Sequence, residues 1–159
     1  MTRPDHARGA GHGENKFTAT FLNNNRNKRS LALDLKSDEG KKILLKLAAT
    51  TDVFIQNFRP GVVQRLGIGE EEIRKVKEDI IYVSISGFGE KGPWAHKPVY
   101  DPIVQALSGL TTIQGGSDEA RPRLVRTIVP DKLTGITTAQ AVTSALLHKE
   151  RTGEGQHVR

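Results

Sequence analysis

An α/β fold with a parallel sheet is what this 159-residue chain predicts, on three observations. Strand-like and helix-like patterns alternate along it, the order that builds βαβ units. The best strand candidate, DIIYVSISGFG at 79–89, is apolar and β-branched on successive positions, as a strand buried on both faces must be. It runs directly into a glycine loop, and ligands of open α/β sheets bind at such C-terminal strand ends. Right-handed crossovers would then place helices on both faces of the sheet.

The elements follow in order. Residues 1–16 show no hydrophobic periodicity and read as a flexible lead-in to a single domain at 17–159. SLALDL (30–35) alternates Leu31, Leu33 and Leu35 and predicts a strand. Ser37 predicts the cap of a helix, with Asp38 and Glu39 in its first turn and Ile43, Leu44, Leu47 and Ala48 on its apolar face. DVFIQNF (52–58) predicts a short strand. In PGVVQRLGIG, Pro60 suits the first helical position and Gly67 the position past the helix end. EEEIRKVK reads as a charged surface helix, and PVYDPIVQALSGL as a helix beginning at Asp101. LVRTIV (124–129) predicts a last strand. Asp131 then stands where the cap of a long Ala- and Thr-rich helix belongs.

Composition excludes several classes. With 36% apolar and 26% charged residues the chain is globular in character. It has no run of 18 apolar residues, hence no membrane span, and its polar N-terminus lacks the apolar core of a secretory signal. No cysteine is present, which rules out disulfides, thiol nucleophiles and Cys-type zinc sites and agrees with a cytoplasmic setting. The five histidines have no metal-ligand spacing, and no G-x-S-x-G elbow occurs. The net charge of +6 points to an anionic partner. Scarce aromatics and the absence of nucleic-acid motifs favour a discrete phosphate ligand over a polymer.

Three stretches carry chemistry. GFGEKG (87–92) has the glycine spacing of a dinucleotide loop, but two prolines follow where that motif needs a helix. NFRPG (57–61) sets an amide, an aromatic ring and a guanidinium at a strand end, suited either to stacking a purine and pairing a phosphate or to an ordinary strand-to-helix turn. Asp131 is either a plain helix cap or a carboxylate poised as a nucleophile at the positive end of a helix.

Six ordered blocks carry a resemblance: NRNKRSLALDLK (25–36), DVFIQNFRPGVVQRLGIG (52–69), IIYVSISGFGEKGPW (80–94), YDPIVQALSGL (100–110), PDKLTG (130–135) and ALLHKERTGEGQHV (145–158). Over about residues 20–158 the chain resembles the class III CoA-transferases, the formyl-CoA and carnitine CoA-transferase group. The resemblance implies a Rossmann-like open parallel sheet, incomplete relative to the full family fold. Family members open with a further strand unit and run well past G-x-G-Q-x-V, so the chain resembles an internal fragment. The aspartate of the family's D-x-x-T-G block falls on Asp131, implying a nucleophile that forms a covalent aspartyl-CoA thioester. CoA contacts carry over to Lys28, Asn57, Phe58 and Arg65. Tyr100 falls in the block that lines the acyl pocket, with Asp101 beside it.

The implied partners are acyl-CoA and a small carboxylic acid, with no metal, nucleic acid or membrane, in a homodimer or with a complementing subunit. Two alternatives stand beside this reading. One is a non-catalytic CoA-binding or assembly module. The other is a relative of the α-methylacyl-CoA racemases, whose proton-shuttling histidine is replaced here by Tyr100, a poor shuttle at neutral pH.

Overall fold

The computed structural model describes residues 17–159, so the lead-in predicted at 1–16 lies outside the described residues. Contacts divide the chain into two compact units, one ending at Ala32 and one running from Leu33 to Arg159. In the first, α1 (Ala19–Asn24) is capped by Thr18, whose Oγ1 accepts from the Phe21 N–H at 3.1 Å. Phe17 and Phe21 stack one helical turn apart with ring centroids 4.8 Å apart.

The second unit holds α2 (Asp38–Ala48), β1 (Val53–Gln56), α3 (Val62–Leu66), α4 (Glu70–Val76), β2 (Ile81–Ser84), α5 (Asp101–Leu107), α6 (Leu110–Gly115), α7 (Val129–Thr152) and β3 (His157–Val158). The three strands form one sheet in the order β1-β2-β3, all parallel, with Gln56 opposite Ser84 and Tyr82 opposite His157. All four residues of β2 are buried. Alternation sends its side chains to two separate cores. Ile80 and Tyr82 meet Ala48 of α2 and Ile73 of α4, with Leu45 and Phe54 at the margin. Ile81 and Val83 meet Ala145 of α7, with Val142, Leu146 and Val158 packed around them. Helices therefore cover both faces of a parallel sheet, as the sequence predicts.

Ion pairs fasten the N-terminal strand ends to the far end of α7. Lys149 Nζ lies 2.8 Å from Asp79 Oδ2, just before β2, and 3.3 Å from Asp52 Oδ1, just before β1. Gly155 lets the chain pass close to the β2 entry: a Cβ there would sit 2.6 Å from Ile80 O. Tyr82 N then donates to Gln156 O at 2.9 Å, which seats β3.

Several local expectations are corrected. SLALDL forms no strand. Leu33 and Leu35 are half-buried between exposed neighbours, so the alternation is present, but no neighbouring strand supplies the ladder among the described residues. LVRTIV forms none either. Its central backbone groups bond to one side chain, Gln105: the Val125 N–H donates to Oε1 at 2.9 Å, and Nε2 donates to Val125 O and Thr127 O, each at 3.3 Å. The helix after Pro60 starts later, at Val62, because Gly61 takes φ +81° and turns the chain first. On α2 the buried face is Leu45 and Ala48, turned toward Ile73, while Ile43 and Leu47 are exposed.

Gln105 is 2% exposed, so deleting its amide strands the buried Asp101 carboxylate and part-buried backbone groups. Gln105→Leu is expected to lower unfolding stability by about 1–3 kcal/mol in urea titrations. An unchanged midpoint would mean that water replaces those bonds. A second expectation concerns acid. Hydrogen bonds from Lys149 first and Lys77 second pull the Asp79 carboxyl down from 3.8 to about 2. A depressed carboxyl contributes stability that is complete above the unfolded value and fades as pH falls through the folded one. The stability difference between the native chain and Asp79→Asn should therefore shrink between pH 4 and 2. A constant difference across that window would count against the clamp.

Candidate functional site

Parallel strands that end side by side deliver their following loops to one edge. Gln56 and Ser84, paired across β1 and β2, are the last residues of their strands. The loops that leave them, together with the first turns of α5 and α7, enclose a cleft of about 470 Å³. Asn57, Phe58 and Arg59 come from the β1 exit, and Ser86 and Gly87 from the β2 exit. Lys97, Tyr100 and Asp101 lead into α5, while Asp131 and Thr134 open α7. Gly87 is required where it stands, since a Cβ would overlap Val99 Cγ1 at 1.7 Å.

Asp131 is not the cap of its helix. α7 begins at Val129 with Ile128 in the cap position and Pro130 in the first turn, where a missing N–H costs nothing. Asp131 thus lies within the first turn, exposed, with its carboxylate still at the positive end of the helix. Asp101 is the contrasting acid of the cleft. It is 8% exposed at the start of α5, and its Oδ1 accepts from Gln105 Nε2 at 2.6 Å. Its Oδ2 is shielded from solvent with no hydrogen-bond partner among the described residues. Because Gln105 also holds Val125 and Thr127, a single amide ties the start of α5 to the approach to α7.

Of the sequence-nominated residues, the fold brings Asn57, Phe58, Tyr100, Asp101 and Asp131 into this one cleft. Arg65 is not among its lining residues. It is exposed on the last turn of α3, with its guanidinium folded toward Gly61. Lys28 belongs to the first unit, where its Nζ donates to Asn25 Oδ1 at 3.4 Å. Of the two cations of the cleft, Arg59 is the guanidinium of the NFRPG stretch, whereas Lys97 has no counterpart in the sequence analysis. Lys97 gives no local signal: its Nζ lies 4.7 Å above the Trp94 ring, which itself packs edge-on against Phe88 at 5.5 Å.

Ile85, Ser86 and Thr134 also border a second, more apolar hollow of about 700 Å³ along the Leu133, Thr137 and Ala141 face of α7. The Asp131 end of α7 therefore lies between a polar cleft and an apolar one. No group of three or more His, Asp or Glu side chains among the described residues is arranged to hold a metal ion, and no described helix is long and apolar enough to cross a membrane.

Comparison with known proteins bears on the family and the fold. The model of CoA-transferase family III matches residues 1–159. The acetyl-CoA:oxalate CoA-transferase of Acetobacter aceti is 43% identical over 146 residues, 92% of this chain and 37% of its own length. The succinate–glutarate CoA-transferase of Agrobacterium fabrum is 41% identical over 146 residues, again 92% of this chain and 36% of the relative. A CAIB/BAIF family protein from Brucella suis superposes with a TM-score of 0.89 at 33% identity, covering 97% of this chain and 42% of that one. The chain thus spans little more than a third of the length of the curated relatives it matches.

Trp94 is the sole tryptophan and carries Lys97 on its face, so it reports on the cleft. An anionic ligand that draws Lys97 off the ring is expected to change Trp94 emission saturably, in parallel with calorimetric binding. Saturable heat with unaltered emission would place the ligand elsewhere.

Proposed function

The chain belongs to CoA-transferase family III, and from that membership we propose that it carries the nucleophile of an acyl-CoA:carboxylate CoA-transferase, Asp131. The observation that supports this most is the convergence of Asn57, Phe58, Tyr100, Asp101 and Asp131, drawn from three distant segments, on one cleft. An amide and an aromatic ring flank one end of it, suited to gripping a nucleotide-bearing thioester. A carboxylate in the first turn of a helix lines the same cleft.

In this reading a carboxylate oxygen of Asp131 attacks the carbonyl carbon of the acyl-CoA. The C–S bond breaks, CoA departs as thiolate, and a mixed anhydride is left on the enzyme. The thiolate then attacks the aspartyl carbonyl, and the donor acid leaves as carboxylate. An acceptor carboxylate attacks the resulting aspartyl-CoA thioester and again releases thiolate. Attack of that thiolate on the acceptor carbonyl yields the new CoA thioester and restores the Asp131 carboxylate. Each step exchanges one acyl bond for another, so no proton or electron is gained or lost overall. Helix N–H groups at the α7 start would steady the negative charge that develops on the attacked carbonyl.

Arg59 and Lys97 suit an acceptor with a second carboxylate, since each offers a cation to the end that does not react. The relatives named for oxalate and glutarate lend support to a small di-acid. The assembled enzyme is a pair of chains or a chain with a complementing subunit, for which the exposed Leu133, Ile136 and Leu147 of α7 provide apolar surface.

The test is peptide mass spectrometry after incubation with acyl-CoA, beside a CoA titration. A CoA adduct is expected on the peptide that contains Asp131. Asp131→Ala should lose the adduct while its CoA dissociation constant stays within about twofold, since the carboxylate acts on the acyl group. CoA binding without any adduct in the native chain would instead identify a binding module.

A further inference from the structure

Below the cleft, a line of polar side chains crosses the sheet from one edge to the other. It starts on α4, where Arg74 Nε donates to Glu70 Oε1 at 2.8 Å. Glu70 Oε2 lies 2.5 Å from His157 Nδ1 on β3. His157 Nε2 is 2.9 Å from Ser84 Oγ on β2, and Ser84 Oγ accepts from Gln56 Nε2 on β1 at 3.0 Å. Gln56 Oε1 then accepts the Phe58 N–H at 2.8 Å. Gln56 and Ser84 are 8% and 7% exposed, so these groups have little water to fall back on.

The direction of the line is fixed from its Phe58 end as far as Ser84. A backbone N–H only donates, so Gln56 must turn its oxygen to Phe58 and its amine to Ser84. Ser84 Oγ accepts that amine and keeps a proton and a second lone pair for His157 Nε2, meeting it as donor or acceptor according to the imidazole tautomer. The other ring nitrogen, Nδ1, stands against Glu70. Burial opposes the Glu70 charge, but the Arg74 hydrogen bond and the charges of His157 and Arg74 outweigh it and hold the carboxyl below its ordinary range. Register places all of these groups on one face: Gln56 opposite Ser84, and His157 opposite Tyr82, whose ring meets the imidazole edge-on at 5.1 Å.

We propose that Ser84 and His157 are positioning residues for the cleft, acting through Gln56 to fix the Asn57–Phe58 turn that faces Asp131. Strand pairing ends at Gln56, and past it this turn has a side-chain amide where a strand would have a ladder. The edge of the cleft is thereby set by a serine and a histidine that stand on the other two strands.

Amide hydrogen exchange of the whole chain tests this directly. The comparison is between Phe58, held by the Gln56 side chain, and Ile85, whose N–H donates to Gln56 O at 2.9 Å through the backbone alone. Ser84→Ala is expected to speed Phe58 exchange about tenfold while Ile85 stays as in the native chain. Ser84→Thr, which keeps the hydroxyl, should restore Phe58 protection, and His157→Gln should fall between. Equal acceleration at Phe58 and Ile85 would mean general fraying of the strand ends and would overturn the proposal, as would an unchanged Phe58. A functional arm rests on the CoA reading above: Ser84→Ala should weaken CoA binding several-fold, with rescue by Ser84→Thr. If the native chain does not bind CoA, that reading fails by itself, and the exchange comparison still decides the relay.

Discussion

Everything in the second unit hangs on β2 being buried on both faces and paired on both edges. Ile81 and Val83 belong to one core, Ile80 and Tyr82 to the other, and parallel partners flank the strand on either side. A one-residue slip would send Tyr82 into the space shaped for Val83 and break both cores at once. The strand is therefore held in a single register. The same fixed register brings Ser84 level with Gln56 and hands the following loops to the cleft. Burial has a visible electrostatic cost too: desolvation first, then the charges of Glu70, Glu90 and Glu72, push the Tyr82 phenol up to about 12.

Around that strand the backbone ladder is short, and side chains complete it. Gln105 does for residues 125–127 what a neighbouring strand would do, with the added effect that it grips Asp101 in the cleft. Gln56 does the same for Phe58. Lys149 gathers Asp52 and Asp79 at the opposite pole of the sheet, and the Asp79 interactions outweigh partial desolvation so that its ammonium is held above the ordinary lysine range. A sheet of three strands, one of them two residues long, thus adds polar fastenings at both ends to its two apolar cores.

The sequence was most legible where local pattern and tertiary role coincide. The apolar runs around β1 and β2 and the Asp101 start of α5 fall where their chemistry places them. Five of the seven nominated site residues converge because they stand at strand exits and helix starts, which the alternating pattern reveals. The failures over strands have a common cause. SLALDL has a strand pattern without a strand beside it, and LVRTIV has its bonds taken by a glutamine some twenty residues upstream. β3 is two residues whose identity as a strand depends on Tyr82 and Gln156 meeting. Asp131 was misplaced by three positions because a helix can start ahead of its proline. For SLALDL, LVRTIV and β3 the deciding partner is remote along the chain, and no local window contains it.

The long helix α7 has one more consequence. It is clamped near its C-terminal end, with Ala145 its one fully buried residue and Lys149 pinned to two strands, whereas Leu133 and Ile136 near the other end are more than half exposed. Mechanically this is a beam held firmly at one end and tied more lightly at the other, where Gln105 links the approach to α7 with the start of α5. Asp131 lies 14 residues from Ala145, roughly 21 Å along the axis at 1.5 Å per residue. A tilt of about 3° at the clamp would carry the carboxylate about 1 Å, a displacement that costs on the order of a hundredfold in rate when reacting groups must align. In the proposed role, the alignment of Asp131 is thus governed as much by what braces the N-terminal end of the beam as by its own neighbours.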